Sequence, residues 1–179
     1  YKIKSLEDPA EYMGTSDDLE QGEELDLVIK AGSGDVADIN ELARFYRKLR
    51  RWDDVELLLE KVLVIDSNNI RAQKDLAWVY NDKGVVCYKN KDLDGAERYL
   101  SKADEIDPND EVIKNNLASV YNDKGIACGE KNDLDGAERY LSKAYKLDPN
   151  DEVIKKNLAS VYNDKGVACY KNNDLDEAE

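Results

Sequence analysis

The sequence predicts an all-α fold built from antiparallel helix pairs stacked side by side. Three observations point there. Long strings recur at a constant 41-residue offset. Between them, apolar residues return at three- and four-residue steps, the period of a helix with one buried face. Proline is rare, and Pro108 and Pro149 fall between predicted helices rather than inside them.

The repeat is explicit. DPNDEVIK starts at Asp107 and at Asp148, NLASVYNDKG at Asn116 and at Asn157, and DLDGAERYLSKA at Asp92 and at Asp133. The triplets Gly84, Gly125, Gly166; Cys87, Cys128, Cys169; and Tyr80, Tyr121, Tyr162 keep the same spacing. A period of this length marks a unit that cannot bury its apolar stripe alone and gains a core only by stacking on its neighbours.

Taken in order, Tyr1 to Ser16 has little periodicity and is expected to be extended or poorly ordered. Asp17 to Ala31 predicts a helix capping the N-terminal end, with Leu19, Leu25, Val28 and Ile29 as its buried face. Gly32-Ser33-Gly34-Asp35 ends it and caps the next helix. These residues form a 1–35 segment, followed by a shorter helix pair over 36–69.

Longer units follow at 70–109, 110–150 and 151–179. In the middle copy a first helix runs from about Asp110 to Lys131. Its apolar positions are Val112, Ile113, Leu117, Val120, Tyr121, Ile126 and Cys128. Asn132-Asp133 breaks it, because short polar side chains compete for the backbone. A second helix starts near Leu134 and carries Leu134, Ala137, Tyr140, Leu141, Ala144 and Leu147. Asp148-Pro149-Asn150-Asp151 stops it, with Asp151 placed to cap the next helix. The final DLDEAE, from Asp174, opens a unit that the chain leaves unfinished, so the natural protein is expected to continue.

The segment from Gly84 to Ala96, GVVCYKNKDLDGA, resembles the tetratricopeptide repeat signature. In that family a small residue in helix A and two alanines in helix B allow close packing. Gly84, Ala96 and Ala103 occupy those places, and Pro108 matches the proline between repeats. Gly125, Ala137, Ala144 and Pro149 repeat the match, as do Gly166 and Ala178. Val36 to Asn69 resembles a unit of the family's standard length, through Leu42-Ala43, Tyr46, Trp52 and Ile65-Asp66, but with Val55 for the usual alanine and Ser67 for the usual proline. The later units exceed the family length by seven residues, about two helical turns. Such an insertion keeps the same helix face inward, so helix A is expected to lengthen to roughly 20 residues. The resemblance implies a right-handed superhelical solenoid.

It also implies that helix A lines a concave groove that holds a partner segment. Projected on this chain, the groove residues are Trp78, Asn81, Tyr88, Asn116, Asn122, Asn157, Asn163 and Tyr170. An amide side chain both donates and accepts, and so suits the backbone of an extended peptide of any sequence. The same asparagines also fit a bland role, solvated or bonded to the neighbouring helix. Trp78 becomes Ser119 and Ser160 in later copies, and Tyr88 becomes Gly129 and then Tyr170. These changes either tune the groove or record drift at exposed sites. A two-carboxylate clamp of the chaperone-binding relatives does not transfer, since Asn40 and Arg44 stand where its first Lys-Asn pair is expected.

Charge narrows the partners. The net formal charge of −14 disfavours nucleic acid and anionic membrane and favours a basic protein or peptide. The acidity also serves solubility alone. The chain has no histidine, which excludes His-bearing zinc sites and His-dependent catalysis. Its three cysteines are unpaired in spacing and are expected to be small core residues of a protein in a reducing compartment. Asp133/Asp135 and Asp148/Asp151 have metal-like spacing but suit helix stops and caps, because no twelve-residue calcium loop follows. The reading is a cytoplasmic protein–protein interaction scaffold, not an enzyme, without cofactor or metal. The alternatives are a non-catalytic repeat region of a larger enzyme or assembly complex, and a self-associating repeat array.

Overall fold

The computed structural model describes residues 16–176, with side chains over residues 21–171. The expectation for Tyr1 to Ser16 therefore lies almost wholly outside the described residues. All regular structure among the described residues is helical, as the sequence predicts. The chain divides into two compact units, Tyr1–Ala72 and Gln73–Glu179.

The first unit holds α1 (Ser16–Ala31), α2 (Val36–Lys48) and α3 (Trp52–Ile65). Asp35 caps α2 by accepting from the N–H groups of Ala37 and Asp38, which satisfies two otherwise orphaned donors. Leu27, Ile39, Leu42, Ala43, Phe45, Tyr46, Val55, Leu58, Leu59 and Val62 are buried. Glu24 of α1 accepts from the Tyr46 hydroxyl at 2.9 Å and from Arg51 Nη1 at 2.7 Å. The Arg51 guanidinium also lies 4.1 Å from the centre of the Tyr46 ring. One finding corrects the sequence reading. Among the described side chains of α1 the buried one is Leu27, whereas Leu25 and Ile29 are 61% and 66% exposed and Val28 is also exposed; Leu19 lies outside the described side chains. A helix packed on one neighbour buries a single stripe, and here the anchoring of Glu24 on α2 and its loop turns Leu27 inward instead.

The second unit holds nearly all of α4 (Ile70–Lys89), then α5 (Leu93–Ile106), α6 (Glu111–Glu130), α7 (Leu134–Leu147) and α8 (Glu152–Asp176). Helices α4 and α6 are 20 residues long, against 13 for α2. Helix A ends the same way in α4 and α6, whereas α8 continues to Asp176. Lys91 and Asn132 take left-handed conformations, φ 66° and 59°, and the next N–H, of Asp92 or Asp133, reaches back to the carbonyl of Cys87 or Cys128. This closes the helix and turns the chain so that the same aspartate caps the next helix at Gly95 or Gly136 N–H. Asp148 and Asp151 likewise accept only backbone N–H bonds at the α7–α8 turn, the capping role read from the sequence.

The two helices of a pair approach closely because helix A offers a glycine. A Cβ on Gly84 would stand 2.6 Å from Leu100 Cγ, and one on Gly125 the same distance from Leu141 Cγ. Leu100, Leu141 and the alanines Ala96, Ala103, Ala137 and Ala144 are fully buried. Each such leucine contributes about 1.5–3 kcal/mol by leaving water. Tyr80 stacks on Tyr99, and Tyr121 on Tyr140, with ring centres 6.4 and 6.2 Å apart. The thiols depart from expectation. Cys87 and Cys128 are half-buried beside these pairs, but Cys169 is exposed. Val112 and Ile126 also face outward despite their helical spacing.

Candidate functional site

The stripe read from helix A lies on α4, α6 and α8, and its asparagines meet one another. Asn116 Nδ2 donates to Asn81 Oδ1 at 2.8 Å, and Asn157 Nδ2 donates to Asn122 Oδ1 at 2.8 Å. Each bond joins residues 35 apart, so one geometric relation is used at successive junctions. Asn81 is 3% exposed, where an unpaired amide would be costly. The rungs consume one donor and one acceptor and leave each pair the complementary groups. These four side chains thus take the bonded role, between neighbouring helices.

A second polar pair has the same spacing. The Tyr88 hydroxyl donates to Asp123 Oδ2 at 2.7 Å. This bond to a carboxylate, together with burial and the nearby negative charge, pushes the Tyr88 phenol up to about 12. Asn122 Nδ2 reaches Asp123 Oδ1 at 3.5 Å. Around this pair is a depression of about 130 Å³ lined by Tyr88, Ser119, Asn122, Asp123, Asp151, Val153 and Ile154. It offers a phenol, a hydroxyl, two carboxylates and an amide beside Val153 and Ile154. Such a lining suits a cation on an aliphatic stem.

The structure therefore brings Tyr88 and Asn122 to one pocket, with Asn81, Asn116 and Asn157 in the rungs beside it. Trp78 is half-buried and does not line this pocket, while Asn163 and Tyr170 are exposed further along α8. At Gly129, which replaces Tyr88 one copy later, an added Cβ would meet open space. Asp151, Val153 and Ile154 were not read as groove residues. Asp151 registers in the sequence only as a cap, and its proximity to Tyr88 depends on how successive helices stack.

Lysines flank the stripe. Lys124 Nζ lies 2.5 Å from both Asp94 Oδ1 and Glu97 Oε2, and Lys165 repeats this with Asp135 and Glu138 at 2.5 and 2.6 Å. Burial opposes the charge on Lys124, but the two carboxylates outweigh it and hold the ammonium above its ordinary value. A larger, mostly apolar depression of about 530 Å³ in the first unit is lined by residues including Ile39, Leu57, Val64 and Ile65. It contains none of the stripe residues. Among the described residues no cluster of three metal-ligating side chains occurs, and no helix is long and apolar enough to cross a membrane.

The family model described as tetratricopeptide repeat matches residues 79–110 and 118–151. Over these two segments the chain is similar to tetratricopeptide repeats. Both matches open inside helix A, leaving residues 111–117 at the start of α6 between them. A solved tetratricopeptide-repeat protein from Bacteroides fragilis shares the fold with a TM-score of 0.52 at 16% identity, over 82% of this chain and 77% of that one. Two solved structures of MamA give TM-scores of 0.40 and 0.39 at 18% and 22% identity, over 91% and 90% of this chain and 82% and 90% of theirs. No curated protein is a significant match. Tetratricopeptide repeats are in general non-catalytic modules of protein–protein interaction.

Proposed function

We propose that the protein is a scaffold that holds an extended, basic segment of a partner protein along the helix A stripe. The observation that carries this reading is the pocket where Tyr88, Ser119, Asn122, Asp123 and Asp151 converge. It would take a lysine or arginine side chain, with the carboxylates as counter-charges and the Tyr88 ring as its wall. Asn116, Asn122 and Asn157, which are half-buried, would present their remaining donors and acceptors to the partner backbone. The net charge of −14 would steer such a segment in and repel acidic ones. A reducing, cytoplasmic setting suits the three free thiols.

The test is affinity capture from the native source, with mass spectrometry, using the wild-type chain beside Tyr88→Ala and Asp123→Ala. The reading expects a partner with a lysine- or arginine-rich segment, retained by wild type and reduced at least tenfold on both variants. Equal retention by all three proteins would remove the pocket from the account.

A further inference from the structure

In the pocket of about 130 Å³ formed by α4, α6 and the start of α8, most carboxylate oxygens are already engaged. All of its walls belong to the second unit. Asp123 Oδ2 accepts from the Tyr88 hydroxyl at 2.7 Å, and Asn122 Nδ2 stands 3.5 Å from Asp123 Oδ1. Asp151 Oδ1 accepts from the N–H groups of Val153 and Ile154 at 2.7 and 3.1 Å. Neither carboxylate therefore offers two open oxygens side by side. Ser119 donates its hydroxyl hydrogen to the Asn115 carbonyl at 2.9 Å, which leaves the Oγ lone pairs as acceptors.

The two basic side chains differ in what they need from such a lining. A guanidinium is a planar fork that grips a carboxylate best through two parallel bonds, one to each oxygen. An ammonium is a compact charge whose three donors turn to separate acceptors. What remains here is single acceptors on different residues: Asp151 Oδ2, Ser119 Oγ and the unused lone pairs of Asp123. Val153 and Ile154 lie beside them and give a four-carbon stem an apolar surface.

From this arrangement we infer that the pocket is a lysine subsite that discriminates against arginine, with the Tyr88 hydroxyl setting the preference by occupying Asp123 Oδ2. The subsite rests on the proposed groove and names the side chain that the groove reads. The repeats restrict it to one junction. One copy later Gly129 stands in the place of Tyr88, so Asp164, in the place of Asp123, meets no phenol from that position. The preference thus belongs to one residue of the partner and not to its overall charge.

Nuclear magnetic resonance titration of the 179-residue chain tests this, with three peptides that alternate alanine with lysine, with arginine or with acetyl-lysine. Affinity is read from the signals of Ser119 and Asn122, so that loose attraction of cations to the acidic surface does not count. The lysine peptide is expected to bind about fivefold more tightly than the arginine peptide. The acetyl-lysine peptide, which keeps the stem and loses the charge, should leave these signals in place. In Tyr88→Phe, Asp123 Oδ2 is open to a fork, and the preference for lysine should fall to about none. Arginine bound as tightly as lysine by the wild type would overturn the subsite and leave the groove reading standing. A lysine preference that persists unchanged in Tyr88→Phe would overturn the role of the hydroxyl and the inference with it. No shift at Ser119 and Asn122 with either basic peptide would overturn the groove itself, and the subsite along with it. Circular dichroism of Tyr88→Phe matching the wild type keeps misfolding from imitating a lost preference.

Discussion

Leu141 lies over Gly125 so closely that a single added carbon would stand 2.6 Å from its Cγ. The same contact joins Leu100 to Gly84, while Gly166 faces open space. One glycine position in three copies thus has two different environments, and its substitutions separate packing from helix propensity.

Gly125→Ala is expected to destabilise the second unit by about 1–3 kcal/mol, because the leucine and its backbone must shift within a close-packed pair. Gly166→Ala is expected to stabilise by roughly 0.5–1 kcal/mol, since there alanine only improves an open helix position. Urea unfolding of both variants reads the difference in sign. Destabilisation of comparable size at both sites would mean that the Gly–Leu contact does not govern this position.

Leu141→Ala leaves the notch of Gly125 unfilled in a fully buried site. The expected loss is about 2–5 kcal/mol, the transfer term plus the cavity left behind. The same unfolding measurement checks it, and a loss below about 1 kcal/mol would show that the pair collapses around the gap.

The Asn122–Asn157 rung should appear as coupling. Asn122→Ala is expected to cost about 0.5–1.5 kcal/mol, leaving the Asn157 amide without its acceptor, whereas Asn163→Ala at an exposed site should cost little. In a double-mutant cycle, Asn122→Ala combined with Asn157→Ala should cost less than the sum of the two. Strict additivity would mean that the rung has no energetic role.

Tyr88 supplies a pH test. Its phenol is raised from the ordinary 10.0 to about 12, so the folded state holds this proton more tightly than the unfolded chain. The stabilisation is fully present below pH 10 and is lost as pH rises through about 12. Tyr46 is raised as well, by burial and its bond to Glu24, so spectrophotometric titration of tyrosinate should show more than one late-ionising phenol, of which Asp123→Asn moves only that of Tyr88 back toward 10. Late steps that are all unchanged in that variant would break the assignment to the Tyr88–Asp123 bond.

The fold was largely legible in the sequence because its determinants are local and repeated. Gly84 and Gly125, the capping aspartates and the Asn132-Asp133 break act through their immediate neighbours, and repetition at one spacing showed which positions face inward. Misreadings occurred where burial depends on what lies alongside. Leu25, Val28 and Ile29 have helical spacing, but only a helix on their far side could bury them. Cys169 has the sequence context of Cys87 and Cys128, but no helix covers it among the described residues. The site was half legible. Asn81, Tyr88, Asn116, Asn122 and Asn157 follow from helix register, and the 35-residue spacing of Tyr88 and Asp123 repeats that of the asparagine rungs. The contribution of Asp151 depends on the stagger of α4, α6 and α8, which no single helix encodes.

The most direct test of the proposed binding groove is nuclear magnetic resonance titration of the labelled chain with two synthetic peptides, one alternating lysine and alanine, the other glutamate and alanine. The account predicts that the lysine peptide shifts the signals of Tyr88, Ser119, Asn122 and Asp123, that added salt weakens the effect, and that the glutamate peptide leaves these signals in place. Equal shifts with both peptides, or shifts confined to residues outside the helix A stripe, would contradict it.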